Sequence, residues 1–200
     1  MRTITRVYDG YDRARGAVAE LEAEGLRSSD INLIANKYAC EETEGLDSGS
    51  ATAPSAGVGA ALGGTAGLLA GLGVIAIPGL GPVVAAGALA ATALGAAAGA
   101  VSGGVIGALV SAGVPEPEAH VYCEAVRRGG TMVSARVRDE DALHMADIMD
   151  RHQPIDPSAR FADYRRQGWT KFDPNAEPYV PSSEELKRIR EPYRWQKPVG

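Results

Sequence analysis

Ile77-Pro78-Gly79-Leu80-Gly81-Pro82 stands in the middle of the least typical part of this chain, and its reading decides how the rest is assembled. Neither proline suits a helix interior, and the glycines between them favour a tight reversal. Pro78, Gly79, Gly81 and Pro82 therefore read as a hairpin turn between two arms, about residues 57–76 and 83–112. As helices the arms would be roughly 30 Å and 45 Å long. Within each arm small residues recur every fourth position. The first row is Gly59, Gly63, Gly67 and Gly71; the second is Gly87, Ala91, Gly95, Gly99, Gly103 and Gly107. A glycine costs a helix about 1 kcal/mol against alanine. Such rows are expected where close backbone approach offsets that cost, so these ten positions predict helix packing in an antiparallel glycine-zipper hairpin.

The arms belong to a larger window. From Ser48 to Pro115, 68 residues, there is no charged residue, no histidine and no Phe, Tyr or Trp, while 17 of the 25 glycines lie inside it. All 45 charges of the 200-residue chain (20 basic, 25 acidic) fall in the other 132 residues. That division excludes a uniformly built globule. An uncharged first arm of spanning length, with leucines off the glycine row, suits a bilayer. Against that stand the low Leu and Phe content, the missing interfacial Trp and Tyr, and the acidic flanks. The expectation drawn is membrane association, self-assembly or both, with both flanks in the cytoplasm and the hairpin at the inner membrane. The alternative is a soluble structural homo-oligomer with the hairpins buried in a common core.

Outside the window the chain has ordinary patterning. Arg2-Thr3-Ile4-Thr5-Arg6-Val7-Tyr8 alternates as a strand, not as a signal peptide. A helix follows, with Ala14, Ala17, Val18 and Leu21 on one face, Asp12 as its expected cap and Gly25 at its end. Ile31-Asn32-Leu33-Ile34-Ala35 closes a β-α-β unit. Beyond the window, Pro115-Glu116-Pro117-Glu118 opens a helix that ends at Arg127-Arg128-Gly129-Gly130. Residues Thr131 to Val137 alternate as a strand, Asp139 caps another helix, and Pro154-Ile155-Asp156 has length only for a short edge strand. Without the insert and its flanking helix the order is β-α-β-β-α-β, so the expected class is α+β and ferredoxin-like. The expected organisation is residues 1–36 and 115–158 as the two halves, 37–56 as a flexible linker, 57–112 as the hairpin, and 159–200 as an aromatic, proline-rich tail. The tail holds Tyr164, Trp169, Phe172, Tyr179, Tyr193 and Trp195, which are expected to drape over a neighbouring surface of the same or another subunit, and a capping box at Ser182 to Glu185.

The two halves resemble a bacterial general-stress-protein domain, heat-induced or low-temperature-induced. The likeness rests on Val7-Tyr8-Asp9, Ala17-Val18, Gly25-Leu26 and Asp30-Ile31-Asn32-Leu33-Ile34-Ala35. It continues in Glu118-Ala119, Tyr122-Cys123-Glu124 and Arg127-Arg128-Gly129-Gly130-Thr131-Met132-Val133. The interposed Gly/Ala hairpin is also similar. The resemblance covers about residues 1–158 and implies a stress-linked protein without an established activity. It carries over no catalytic residue.

The residues give little chemistry of their own. His120 and Cys123 are three apart on a helix, too few for a metal site, and the two cysteines form no disulfide framework. The glycine-rich strings lack the lysine of a phosphate loop. Arg127 and Arg128 read first as solvated charges at a helix end and only second as an anion site. A net charge of −5 gives no footprint for nucleic acid. The sequence therefore predicts no catalytic, cofactor-binding or metal residue and no cofactor. The expected partners are a second copy of the chain and a lipid bilayer; a ligand-binding domain is a further alternative.

Overall fold

A computed structural model describes residues 1–36, 73–77, 80–86, 104–177 and 179–189. Five strands form one sheet: β1 (Arg2–Tyr8), β2 (Ile31–Asn36), β3 (Gly73–Ile77), β4 (Gly81–Ala86) and β5 (Thr131–Val137). Their order is β1-β5-β2-β4-β3, and every neighbouring pair is antiparallel. β1 and β2 therefore run parallel on either side of β5. The helices are α1 (Tyr11–Ala23), α2 (Gly104–Ser111), α3 (Glu116–Arg127), α4 (Ala142–Arg151), α5 (Pro157–Arg166) and α6 (Ser183–Ile189). This is a mixed α+β fold built on a small antiparallel sheet.

Helices cover both faces, which explains why β2 and most of β5 are buried residue after residue. On one face α1 and α4 contribute Ala14, Ala17, Leu21, Ile148 and Met149, packed on Ile4, Leu33 and Val133. On the other, α2 and α3 contribute Leu109, Ala119, Cys123 and Val126, packed on Val7, Ile34 and Met132. Tyr164 and Phe172 join this second cluster from beyond α4. Tyr164, Trp169 and Phe172 of the tail thus dock on their own chain, Tyr193 and Trp195 lie outside the described residues, and α5 runs across the boundary expected at 158/159.

The two arms are not helical where they meet. The centre of the hairpin is β: Gly73–Ile77 and Gly81–Ala86 pair from Gly73↔Ala85 to Ile77↔Gly81. β4 then pairs with β2 from Leu33↔Ala86 to Asn36↔Val83. The reason is local and tertiary together. Val74, Ile75, Ile77, Val83 and Val84 are β-branched and suit a pleated surface. β2, buried on both faces, needs partners for the backbone groups on its side away from β5. Leu80 in the turn and Val83 are buried in the second cluster. Gly81 and Pro82 begin β4.

This also overturns the membrane expectation. No helix among the described residues is long and apolar enough to cross a bilayer. Strand β3 leaves residues 57–72 of the first arm, about 24 Å if helical. Strand β4 removes the start of the second arm, and the described helix at its end, Gly104–Ser111, has 8 residues. A spanning helix needs about 20 consecutive residues. The lipid-bilayer partner, the transmembrane hairpin and the inner-membrane location are all corrected by this finding.

The helix boundaries follow from caps. Gly25 (φ +91°) and Gly129 (φ +105°) end α1 and α3 in the left-handed conformation. The next residue's N–H returns to the helix in both cases, from Leu26 to Leu21 and from Gly130 to Ala125. α1 starts one residue before the expected cap, so Asp12 lies in its first turn. Asp141, not Asp139, precedes α4. Asp139 instead pairs with the Met1 ammonium at 2.8 Å. The capping box forms, with Ser182 N–H donating to Glu185 Oε2 at 2.9 Å and Glu185 N–H to Ser182 Oγ at 3.3 Å.

Candidate functional site

A cleft runs along the outer edge of β1. Two adjoining openings, about 260 Å³ and 450 Å³, share Arg6, Glu118 and Tyr122. Strand alternation sends Ile4 and Tyr8 to the α1/α4 face and Val7 to the α3 face. Arg6 lies on the α4 side, where its Nε and Nη2 donate to the two carboxylate oxygens of Asp150 at 2.6 and 3.2 Å. Its Nη1 also donates to the Thr5 carbonyl at 3.1 Å. Hydrogen bonding to Asp150 strengthens the Arg6 cation. On the opposite wall, burial pushes the Tyr122 phenol up to about 12, with Glu118 adding to the shift. At the far end Ile155 N–H donates to the Val7 carbonyl at 2.8 Å, and Asp156 spends a carboxylate oxygen on the N-terminal amides of α5.

Chemically the cleft holds an arginine already matched to a carboxylate, a tyrosine kept protonated, and the backbone of an edge strand. Sequence reasoning passed over this group because Arg6 on β1, Glu118 and Tyr122 on α3, and Asp150 on α4 come from three elements far apart in the chain. One signal was legible: Pro154-Ile155-Asp156 is too short to fill the edge beside β1.

The residues singled out in the sequence fall elsewhere. Gly59, Gly63, Gly67, Gly71, Gly87, Ala91, Gly95, Gly99 and Gly103, with Pro78 and Gly79 of the turn, lie outside the described residues. Gly107 is described, in α2, and a Cβ built on it would meet no heavy atom within 4 Å. Cys123 is fully buried; burial and the neighbouring Glu124 charge push its thiol far up, so the thiolate needed for metal binding or attack is disfavoured. His120 Nε2 lies 4.0 Å from Glu116. Among the described residues no three His, Cys, Asp or Glu side chains are grouped to hold a metal.

Arg127 and Arg128 are not free for an anion. Both turn to Glu124, only 1% exposed, with Arg128 Nε at 2.6 Å and Arg127 Nη1 at 3.4 Å from its Oε1. Arg128 also donates to Gln167 at 2.6 Å and stacks over the Tyr164 ring at 4.4 Å. His152 is fully buried, its Nε2 2.9 Å from Glu20 Oε2, while Arg151 holds Glu20 Oε1 at 2.9 Å. These clusters tie elements together.

The fold and cleft define a class no narrower than a mixed α+β protein with a cleft along one sheet edge. No protein-family model matches the chain, and neither a curated protein nor a solved structure does.

Proposed function

We propose that this chain is a non-catalytic structural protein whose uncharged insert packs against protein, first within its own sheet and then between copies of the chain. The observation that carries this reading is the pairing of β4 with β2, which commits the middle of the insert to protein backbone. β3 is the outermost strand of the described sheet, and Gly73-Val74-Ile75-Ala76-Ile77 has no charge or proline to deter pairing with another chain. The described contacts are all within one chain, so association rests on this chemistry alone.

Two finer proposals accompany it. The sheet is a ferredoxin-like core enlarged by β3 and β4. The position of β5 between β1 and β2, the sharing of one face by α1 and α4, and the bond from Ile155 to the edge of β1 support this. The chain is also a stress-associated protein of the family it resembles, a proposal supported by the sequence motifs only.

Light scattering on the full chain tests the main reading. The expected mass is a multiple of 20.7 kDa, falling to one chain in Ile75→Lys, because a charged edge residue blocks strand addition. A wild-type chain that stays monomeric across the concentration range overturns it. A second reading, a ligand-binding domain, is favoured by the cleft beside β1.

A further inference from the structure

The sheet stops short of the helices that cover it on the β1 side. α3 contributes Glu118 and Tyr122 to one wall of the cleft, α4 contributes Ala142 and Ala146 to the other, and residues 2–6 of β1 form its floor. The space between the walls lies beyond the last strand of the described sheet, with helices from both faces beside it. Ile155 already occupies one end, through its N–H to the Val7 carbonyl. That bond shows that Val7 turns its backbone away from β5, and alternation turns Thr3 and Thr5 the same way. The Thr5 carbonyl is covered by Arg6. Among the described residues the outward N–H groups of Thr3 and Thr5 meet no acceptor.

We propose that this slot binds an extended peptide as an added strand on β1. Main-chain hydrogen bonds would supply affinity and alternate side chains specificity. Towards α4, the small side chains of Ala142 and Ala146 lie beside Leu143, which is 79% exposed, so apolar residues fit that face. Towards α3, the half-buried Glu118 lines the slot and has no ion-pair partner among the described residues, so a basic side chain fits there. A second copy of β1 does not suit the slot. Antiparallel self-pairing about Ile4 would set Arg2 against Arg6 on one face, and like charges directly opposite are unfavourable. The copy's own α3 and α4 would also meet the walls. The inference concerns the β1 edge, so its outcome is separate from association through β3.

The test is fluorescence polarisation with the full chain and a labelled nine-residue peptide of alternating threonine and valine, with lysine at its centre. Saturable binding is expected. Thr3→Pro should weaken it about tenfold or more, since it removes an outward donor while leaving the β1–β5 bonds intact, a position where edge strands tolerate proline. Glu118→Lys, which reverses the charge on the α3 wall, should weaken it comparably and bind the central-glutamate peptide better than the lysine one. Absence of saturable binding at millimolar protein overturns the proposal. So does equal binding by a folded Thr3→Pro, or, if that variant unfolds, by Glu118→Lys. A concentration-dependent dimer abolished by Thr3→Pro, without peptide binding, would assign the slot to a second copy and overturn it too.

Discussion

Gly130 sits where three parts of the backbone converge. A Cβ at this position would lie 2.8 Å from the Ala125 carbonyl oxygen and 3.1 Å from that of Tyr8, while Asn36 N–H reaches the Gly130 carbonyl at 3.4 Å. None of these backbone atoms can yield without moving α3 or β1. Gly130→Ala is therefore expected to destabilise the fold by about 1–3 kcal/mol, the usual cost of overpacking; the midpoint of urea unfolding measures it, and an unchanged midpoint would refute the close approach. The sequence showed Gly129-Gly130 as a helix end, and Gly129 does end α3. The separate task of Gly130 was not legible, because the atoms that crowd it include one from Tyr8, far away along the chain. Gly16 is a similar case: its absent side chain leaves room for the buried His152 ring, whose Nδ1 would lie 2.9 Å from a Cβ there.

Among elements, α3 carries the most. Its apolar face fills the second cluster, and its last turn presents Glu124, buried, to Arg127 and Arg128. Asn36 Nδ2 donates to the Arg127 carbonyl at 2.9 Å and so fastens the same turn to β2. Arg128 reaches on to Gln167 and Tyr164, linking α3 to the segment that follows α4. Removing Glu124 leaves two arginines that still reach solvent, so the loss is that of its charge-assisted hydrogen bonds, about 1.5–3 kcal/mol. Glu124→Ala should lose stability in that range and open α5 to protease, read by the midpoint of thermal unfolding and by the first cleavage site. Cleavage rates equal to wild type would show that Glu124 does not hold α5. Spacing identified α3 and its apolar face but assigned its arginines to solvent. A charge at a helix end reads as solvated until the element that covers it is known, and here that element begins about 30 residues later.

For the whole molecule, the segment after α4 is part of the core. Phe172 is 2% exposed and Tyr164 3%, both in the cluster that α3 forms on the sheet. Phe172→Ala should cost about 3–5 kcal/mol, as truncation of a buried phenylalanine does. Denaturant unfolding followed by a probe on β5 checks it, since an independent tail would leave that transition unmoved. The aromatic content of the tail marked it for docking, but its lack of periodicity hid the surface it would meet.

The sequence by itself determined the flanking elements: β1, α1, β2, α3, β5 and α4 each follow from an unbroken period of apolar residues and from glycine or proline at the ends. It also determined that the uncharged window must find a dry environment. Only the tertiary structure decided what its middle becomes. Gly and Ala at every fourth position favour a packed helix locally, while Val74-Ile75-Ala76-Ile77 and Val83-Val84 favour a strand. The competition was settled by β2, whose outer backbone groups are buried and need hydrogen-bond partners that β4 supplies. The cleft beside β1 has the same origin at the opposite edge: the sheet there ends with one bond from Ile155, and the helices extend past it. Periodicity reports which face of an element is buried; which edge of a sheet is paired depends on segments far apart in the chain.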